Sequence, residues 1–251
     1  MKPTILLFLF FILITFFHAN AEENKTTETY LEEYKQKLKE FYQPPNCFLL
    51  SFRTNLNIPQ YGQQNAEGSV RADNVNQRIR VILIEPTLGL TISWITVIDK
   101  IAYLSHPNKE GVLKLPLKDV SLGSVVNNQI QIPFALFQDI LFGKLPTELF
   151  QTQDWKFENQ QWIVQYTQNG DVITFYFRNE DPLRLEKVIY QKPQDSYYAI
   201  VNFVDKFYET KYPKQLKIQT FQNKTALESM TINFYKYIDT TKCKNEHFPV
   251  K

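Results

Sequence analysis

Histidine and cysteine are scarce in this chain, with three and two among 251 residues. His18 directly follows an apolar amino-terminal run, which leaves His106 and His247, and neither stands in a metal-ligand spacing or beside a nucleophile motif. There is no Gly-x-Ser-x-Gly and no phosphate-binding loop. With only seven glycines, the chain has little material for phosphate-cradling turns or flexible linkers. Aspartate and glutamate are scattered singly, so nothing local proposes the carboxylate pair of a glycosidase. These absences lead to the expectation of a protein that is not an enzyme and uses no metal and no cofactor. The formal net charge is +2, and no stretch gathers lysine and arginine into a stripe that would track phosphates, which argues against nucleic acid as a partner. Internal repeats and low-complexity segments are also missing.

What is present begins with an export pattern. Lys2 precedes an apolar run over residues 5–17, and Ala19-Asn20-Ala21 has the small-x-small form of a cleavage site. The run is shorter than the ~20 residues that a spanning helix needs, so residues 1–21 are read as a cleaved signal peptide. The first cysteine in the sequence is Cys47, far beyond the run, so a lipid-anchored amino terminus is not expected. The expected mature protein is exported, soluble and monomeric. In that setting Cys47 and Cys243 are candidates for a disulfide; the alternative, that neither thiol reaches the other, stays open.

Residues 22–45 form an amino-terminal region with Leu31, Tyr34, Leu38 and Phe41 at spacings of three and four, which predicts an amphipathic helix over residues 30–42, stopped by Pro44-Pro45. The remainder, 46–251, reads as one mainly β domain together with this helix. Residues 77–85 and 90–98 are β-branched strands hinged at Glu85-Pro86-Thr87-Leu88-Gly89, where Pro86 cannot donate to a ladder. Residues 131–143 predict a short helix, with Pro133 near its start, apolar side chains all round, and Gly143 as its stop. A short helix of that kind must be buried. Asn169-Gly170 predicts a tight hairpin between strands at 162–167 and 172–178, and further strands follow at 183–191, 197–207, 216–222 and 227–237. Roughly ten or eleven antiparallel strands are expected by the period-2 pattern.

The succession of strand, Pro-x-Leu-Gly turn, strands, and the helix ending in Leu-Phe-Gly-Lys-Leu-Pro resembles the lipoprotein carriers and receptors of Gram-negative envelopes, LolA and LolB, and their LolB-like relatives, over roughly residues 47–237. The resemblance implies an α+β fold, a curved and incomplete antiparallel β-barrel with helices as a lid over an apolar cavity. It also implies a periplasmic carrier or chaperone that holds acyl chains of a lipoprotein or lipid, with the envelope membrane surface as a further partner. The missing amino-terminal cysteine departs from the LolB pattern. The alternative function is a non-carrying envelope scaffold or partner-binding protein, its barrel filled by its own side chains.

The residues proposed to line the acyl cavity are Phe134, Phe137 and Leu141 from the helix and Ile173, Phe175, Phe177, Phe203 and Phe234 from the strands. Arg71, Arg78 and Arg80 are candidates for a latch, because the resemblance implies a strand arginine bonded to backbone carbonyls of the lid. Leu88, at the turn between two strands, either folds back to cap the core or projects as a membrane or cargo contact.

Overall fold

The computed structural model describes residues 29–58, 62–106, 109–126, 129–180, 184–206, 212–240 and 242–250. The expected signal peptide, 1–21, lies outside the described residues. The chain divides into two compact units, Met1–Phe41 and Tyr42–Lys251. In the first, residues 29–41 form helix α1, in which Lys35 pairs with Glu32 at 2.8 Å and Gln36 donates to Glu40 at 2.8 Å. Such contacts three and four residues apart support a helix locally.

The second unit is built on one antiparallel sheet, with 13 strands among the described residues. From β1 (Cys47–Ile58) the chain meanders outward through β2 (Gly62–Asp73), β3 (Arg78–Ile84), β4 (Thr91–Ile98) and β5 (Ile101–His106) to the edge strand β6 (Lys109–Pro116). It then passes through three short helices, α2 (Leu122–Val126), α3 (Phe134–Phe142) and α4 (Thr147–Gln151), to the opposite edge, β7 (Trp155–Glu158). A second meander returns inward through β8 (Gln161–Gln168), β9 (Asp171–Arg178), β10 (Arg184–Lys192), β11 (Tyr197–Lys206) and β12 (Pro213–Gln222) to β13 (Thr225–Thr240), which pairs with β1. The two edges do not pair with each other, so the barrel is incomplete. This topology obliges the helical segment to travel from one edge of the sheet to the other.

The strand count exceeds the expected ten or eleven. The first half of β2 is polar and exposed, β6 carries Gly111 and Pro116, and β7 has only four residues, so none has a strong period-2 apolar signal. Elsewhere the local chemistry acts as read. Asn169 and Gly170 take φ of 54° and 87°, the two positive values a tight two-residue hairpin needs. Helix α3 ends at Gly143, which adopts φ 61° and donates to the carbonyl of Ile140 at 3.0 Å. Its Phe134, Leu136, Phe137, Ile140, Leu141 and Phe142 are all buried.

The disulfide is formed: Cys47 and Cys243 are bonded across 196 positions of sequence, with Cα atoms 5.5 Å apart. It fastens the segment after β13 to the start of β1. Among the described residues, no helix is long and apolar enough to cross a membrane.

Candidate functional site

Alternation decides which side chains face the helices. On β3, Val81 and Leu83 are buried on one face, while Arg78 and Arg80 project from the other. Val70 of β2, Phe52 of β1, and Met230, Ile232 and Phe234 of β13 share the face of Val81 and Leu83. Phe52 and Phe234 pack edge to face at 6.0 Å. Phe52 also lies over Gly68, where an added Cβ would come within 2.4 Å of the ring, so this glycine is required by close packing. Across from this floor lie Leu122, Val125 and Val126 of α2 and Phe134, Phe137 and Leu141 of α3. Every residue around the resulting cavity is apolar. The void open to the centre of a water molecule is about 20 Å³, room for about one water.

The cover over this cavity is tied down at its margins by a few polar contacts. Ser93 of β4 donates to the carbonyl of Val125 at 2.8 Å. In the connection between α2 and α3, the Gln129 amide donates to the Glu228 carboxylate at 3.0 Å and the Gln131 amide to the Tyr197 hydroxyl at 2.9 Å. At the far end of α3, the Tyr212 hydroxyl donates to the carbonyl of Phe142 at 3.0 Å. Burial raises the pKa of Glu228 above the usual carboxylate range, against the Gln129 hydrogen bond, and pushes Tyr197 up to about 12. On α3 itself, burial pushes Asp139 up to about 6, with Lys144 opposing the shift and Glu148 adding to it.

The eight residues proposed for the cavity fall into two groups. Phe134, Phe137, Leu141 and Phe234 line it. Ile173, Phe175, Phe177 and Phe203 are buried in the other meander. There Tyr166 stacks on Phe175 at 6.2 Å, Phe175 on Phe177 at 6.0 Å, and Phe177 on Trp155 at 6.2 Å. Tyr42 meets Phe177 edge to face at 6.3 Å, and its hydroxyl accepts from the Leu185 amide at 2.8 Å. These side chains are buried, as the alternation requires, and Phe175 and Phe177 pack in the ring stack. Of the eight residues read as acyl contacts, four therefore line this cavity and four lie apart from it.

The three arginines lie on the opposite face from the cavity. Arg78 pairs with Asp73, donates to Asn245 at 2.8 Å, and sits 4.6 Å from the centre of the buried Phe248 ring. Burial works against ionising Asp73, but hydrogen bonds from Asn76 and Arg78 outweigh it and hold its carboxyl below the usual range. Arg80 donates to the carbonyl of Pro249 at 2.7 Å and lies 5.0 Å from the Trp94 ring. Arg71 stands beside Arg80 in register, and its charge adds to the burial that lowers the pKa of His247. Arg80 thus makes the kind of contact expected of a latch, guanidinium to backbone carbonyl, but to the carboxy-terminal segment. Helices α2 and α3 lie across the sheet from these groups.

Leu88 is 72% exposed and Leu90 61%. The Glu85 carboxylate accepts from the amides of Thr87 at 2.9 Å and Leu88 at 2.5 Å, and Gly89 takes φ 69°, so the turn is closed from within while its leucines point out. The capping alternative for Leu88 is not what the structure adopts. Sequence reasoning missed Phe52, Val81, Leu83 and Ile232, whose signal is simple alternation in their strands, and the α2 residues, whose five-residue helix is too short for a period to show.

No protein-family model and no curated protein matches this sequence. Solved structures do match by shape. A LolA superfamily protein from Nitrosomonas europaea aligns over 85% of this chain and 94% of its own, with a TM-score of 0.54 and 11% identity. The chain has the LolA-like fold. A domain from Vibrio parahaemolyticus named for outer membrane lipoprotein sorting aligns over 86% of this chain and 94% of its own, at TM-score 0.55 and 13% identity. A DUF1329 family protein from Desulfovibrio piger aligns over 86% and 96%, at TM-score 0.59 and 10% identity. The LolA-like fold accounts for both the open sheet and the helical segment laid across it.

Proposed function

We propose that this protein is a periplasmic carrier or chaperone that holds the acyl chains of a lipoprotein or lipid beneath α3. The observation that carries the reading is the wholly apolar cavity between α2–α3 and the β1–β3 and β13 floor, under a cover fastened at its margins by isolated hydrogen bonds. The LolA-like fold, shared with a domain named for lipoprotein sorting, supports the same cargo class. Each buried acyl methylene is worth about 0.8 kcal/mol, so one fatty chain supplies enough free energy to offset breaking the few contacts that hold the cover. Leu88 and Leu90, exposed at the turn between β3 and β4, are the proposed contact with the envelope membrane surface or with cargo.

A specific observation favours the rival reading of a non-carrying scaffold. As it stands the cavity admits about one water and no acyl chain, so the carrier reading requires it to widen. Uptake of the neutral dye 1-N-phenylnaphthylamine separates the two. A carrier binds the dye saturably, and Phe137→Asp, which places a charge in the cavity, weakens binding about tenfold or more. A folded protein that takes up no dye is the scaffold.

A further inference from the structure

The inner surface near the cavity is not apolar throughout. On β13 the residues facing inward run Phe234, Ile232, Met230 and Glu228, and the first three line the cavity. Glu228 lies two residues beyond Met230, about 7 Å further along the strand. It is a carboxylate 8% exposed, placed where the apolar row ends. On the adjacent strand, Thr54 is directly opposite Ile232 and follows the cavity residue Phe52 on the same face. Thr54 is 3% exposed and its hydroxyl has no hydrogen-bond partner among the described residues. Buried polar groups are nearly always paired, so an orphaned hydroxyl beside a cavity is itself a sign of a missing ligand group.

Resting on the carrier reading, we infer that Thr54 and Glu228 recognise the polar end of the cargo, and that the cargo is an acyl ester or amide with an uncharged or cationic hydrogen-bond-donating head. In this arrangement the acyl chain lies along Ile232 and Phe234, and the polar end extends from Thr54 past Met230 toward Glu228. The Thr54 hydroxyl donates to the ester or amide carbonyl, and the head donates to Glu228. The Glu228 carboxylate is occupied in the closed state by the Gln129 amide of the α2–α3 connection, so displacing that connection delivers a free acceptor as the chain enters. The main chain of Glu228 stays fixed meanwhile, because its amide donates to the Thr220 hydroxyl at 3.2 Å and its carbonyl accepts from that hydroxyl at 3.3 Å. Burial already disfavours the charged form of Glu228. A free fatty acid would bring a second carboxylate to the same place, which two like charges oppose.

The test is displacement of bound 1-N-phenylnaphthylamine by three ligands of equal chain length: 1-monododecanoylglycerol, dodecylammonium and dodecanoate. The wild-type protein is expected to bind the glyceride and the ammonium each about tenfold or more tighter than dodecanoate. Glu228→Gln keeps an acceptor for the Gln129 amide and should fold. It is expected to improve dodecanoate binding until the gap closes to about threefold. Thr54→Val should weaken the glyceride about tenfold and leave dodecylammonium, which has no carbonyl, unchanged. Thermal melting of each variant reports folding, and if Glu228→Gln does not fold, the wild-type ranking together with Thr54→Val still decides. Displacement indifferent to head group in the wild type, or a preference unaltered by these substitutions, overturns the inference alone. Failure of the wild type to bind the dye at all overturns the carrier reading and this inference with it.

Discussion

The two meanders of the sheet enclose the same kind of residue in different ways. In the returning meander, Tyr166, Phe175, Phe177 and Trp155 form a continuous stack with neighbouring rings about 6 Å apart, and Tyr42 closes its side. Each ring there is held by another ring. Around β1–β3 and β13, the floor of Phe52, Val70, Val81 and Ile232 is met by a separate element, α3, and a void remains between them. The first arrangement is a core in which ring packs directly on ring within the sheet's own strands. The second is closed by a helix whose ties to the sheet are few, and such elements open at lower free energy than the core they rest on. Apolar composition alone therefore does not mark a binding site; what marks it here is that two surfaces from different elements meet imperfectly.

Substitutions on the two sides sharpen this contrast, and the largest effect belongs to the stack. Phe177→Ala removes a fully buried ring that touches Phe175, Trp155 and Tyr42, and should cost about 3–5 kcal/mol in urea unfolding while leaving the dye affinity of the remaining folded protein unchanged. Phe137→Ala, beside the void, should cost about 3 kcal/mol, the low end of the range for a buried ring, while increasing dye uptake, because the space it vacates adjoins the cavity. Equal costs, with dye uptake unchanged in both, would erase the distinction between the two regions.

A smaller effect is expected from Asp139, on α3. Its folded-state pKa is raised from 3.8 to about 6 by burial, so the folded protein holds a proton that the unfolded chain releases. The stabilisation is fully present below about pH 4 and is lost as pH rises through 6. Asp139→Asn should therefore raise the melting temperature at pH 8, leave it nearly unchanged at pH 4, and flatten the profile between them. The smallest effect on stability belongs to Leu88→Glu. At 72% exposure, its replacement should move stability by less than about 0.5 kcal/mol, yet abolish sedimentation with anionic liposomes. A large loss of stability would return Leu88 to a capping role.

The sequence was most legible where one element settles its own environment. A nine-residue helix that is apolar on every side has to be covered, and Phe134, Phe137 and Leu141 follow from that. Strand alternation was equally clear for Phe175 and Phe177, but it states only that a side chain faces inward. Which part of the interior it reaches depends on how the sheet folds over α3, a long-range property with no local signature. Thr54 and Glu228 were invisible for a related reason: a threonine in a strand and a lone glutamate each read as ordinary, and only the register against Ile232 and the placement of Gln129 give them meaning. The arginines show the same limit. Arg78 and Arg80 were recognisable as strand residues with planar donors, but their partners Asn245 and Pro249 lie more than 160 positions away and are brought to them by the fold.

Whether the space beneath α3 holds acyl chains is decided by quantitative mass spectrometry of lipid extracted from protein purified without detergent. Acyl lipid is expected in near-stoichiometric amount from the wild-type protein and largely lost from Phe137→Asp, while a conservative change in the stack, Phe175→Leu, leaves the recovery intact. No acyl lipid in the wild type, or equal recovery from the wild type and Phe137→Asp, would contradict acyl binding beneath α3.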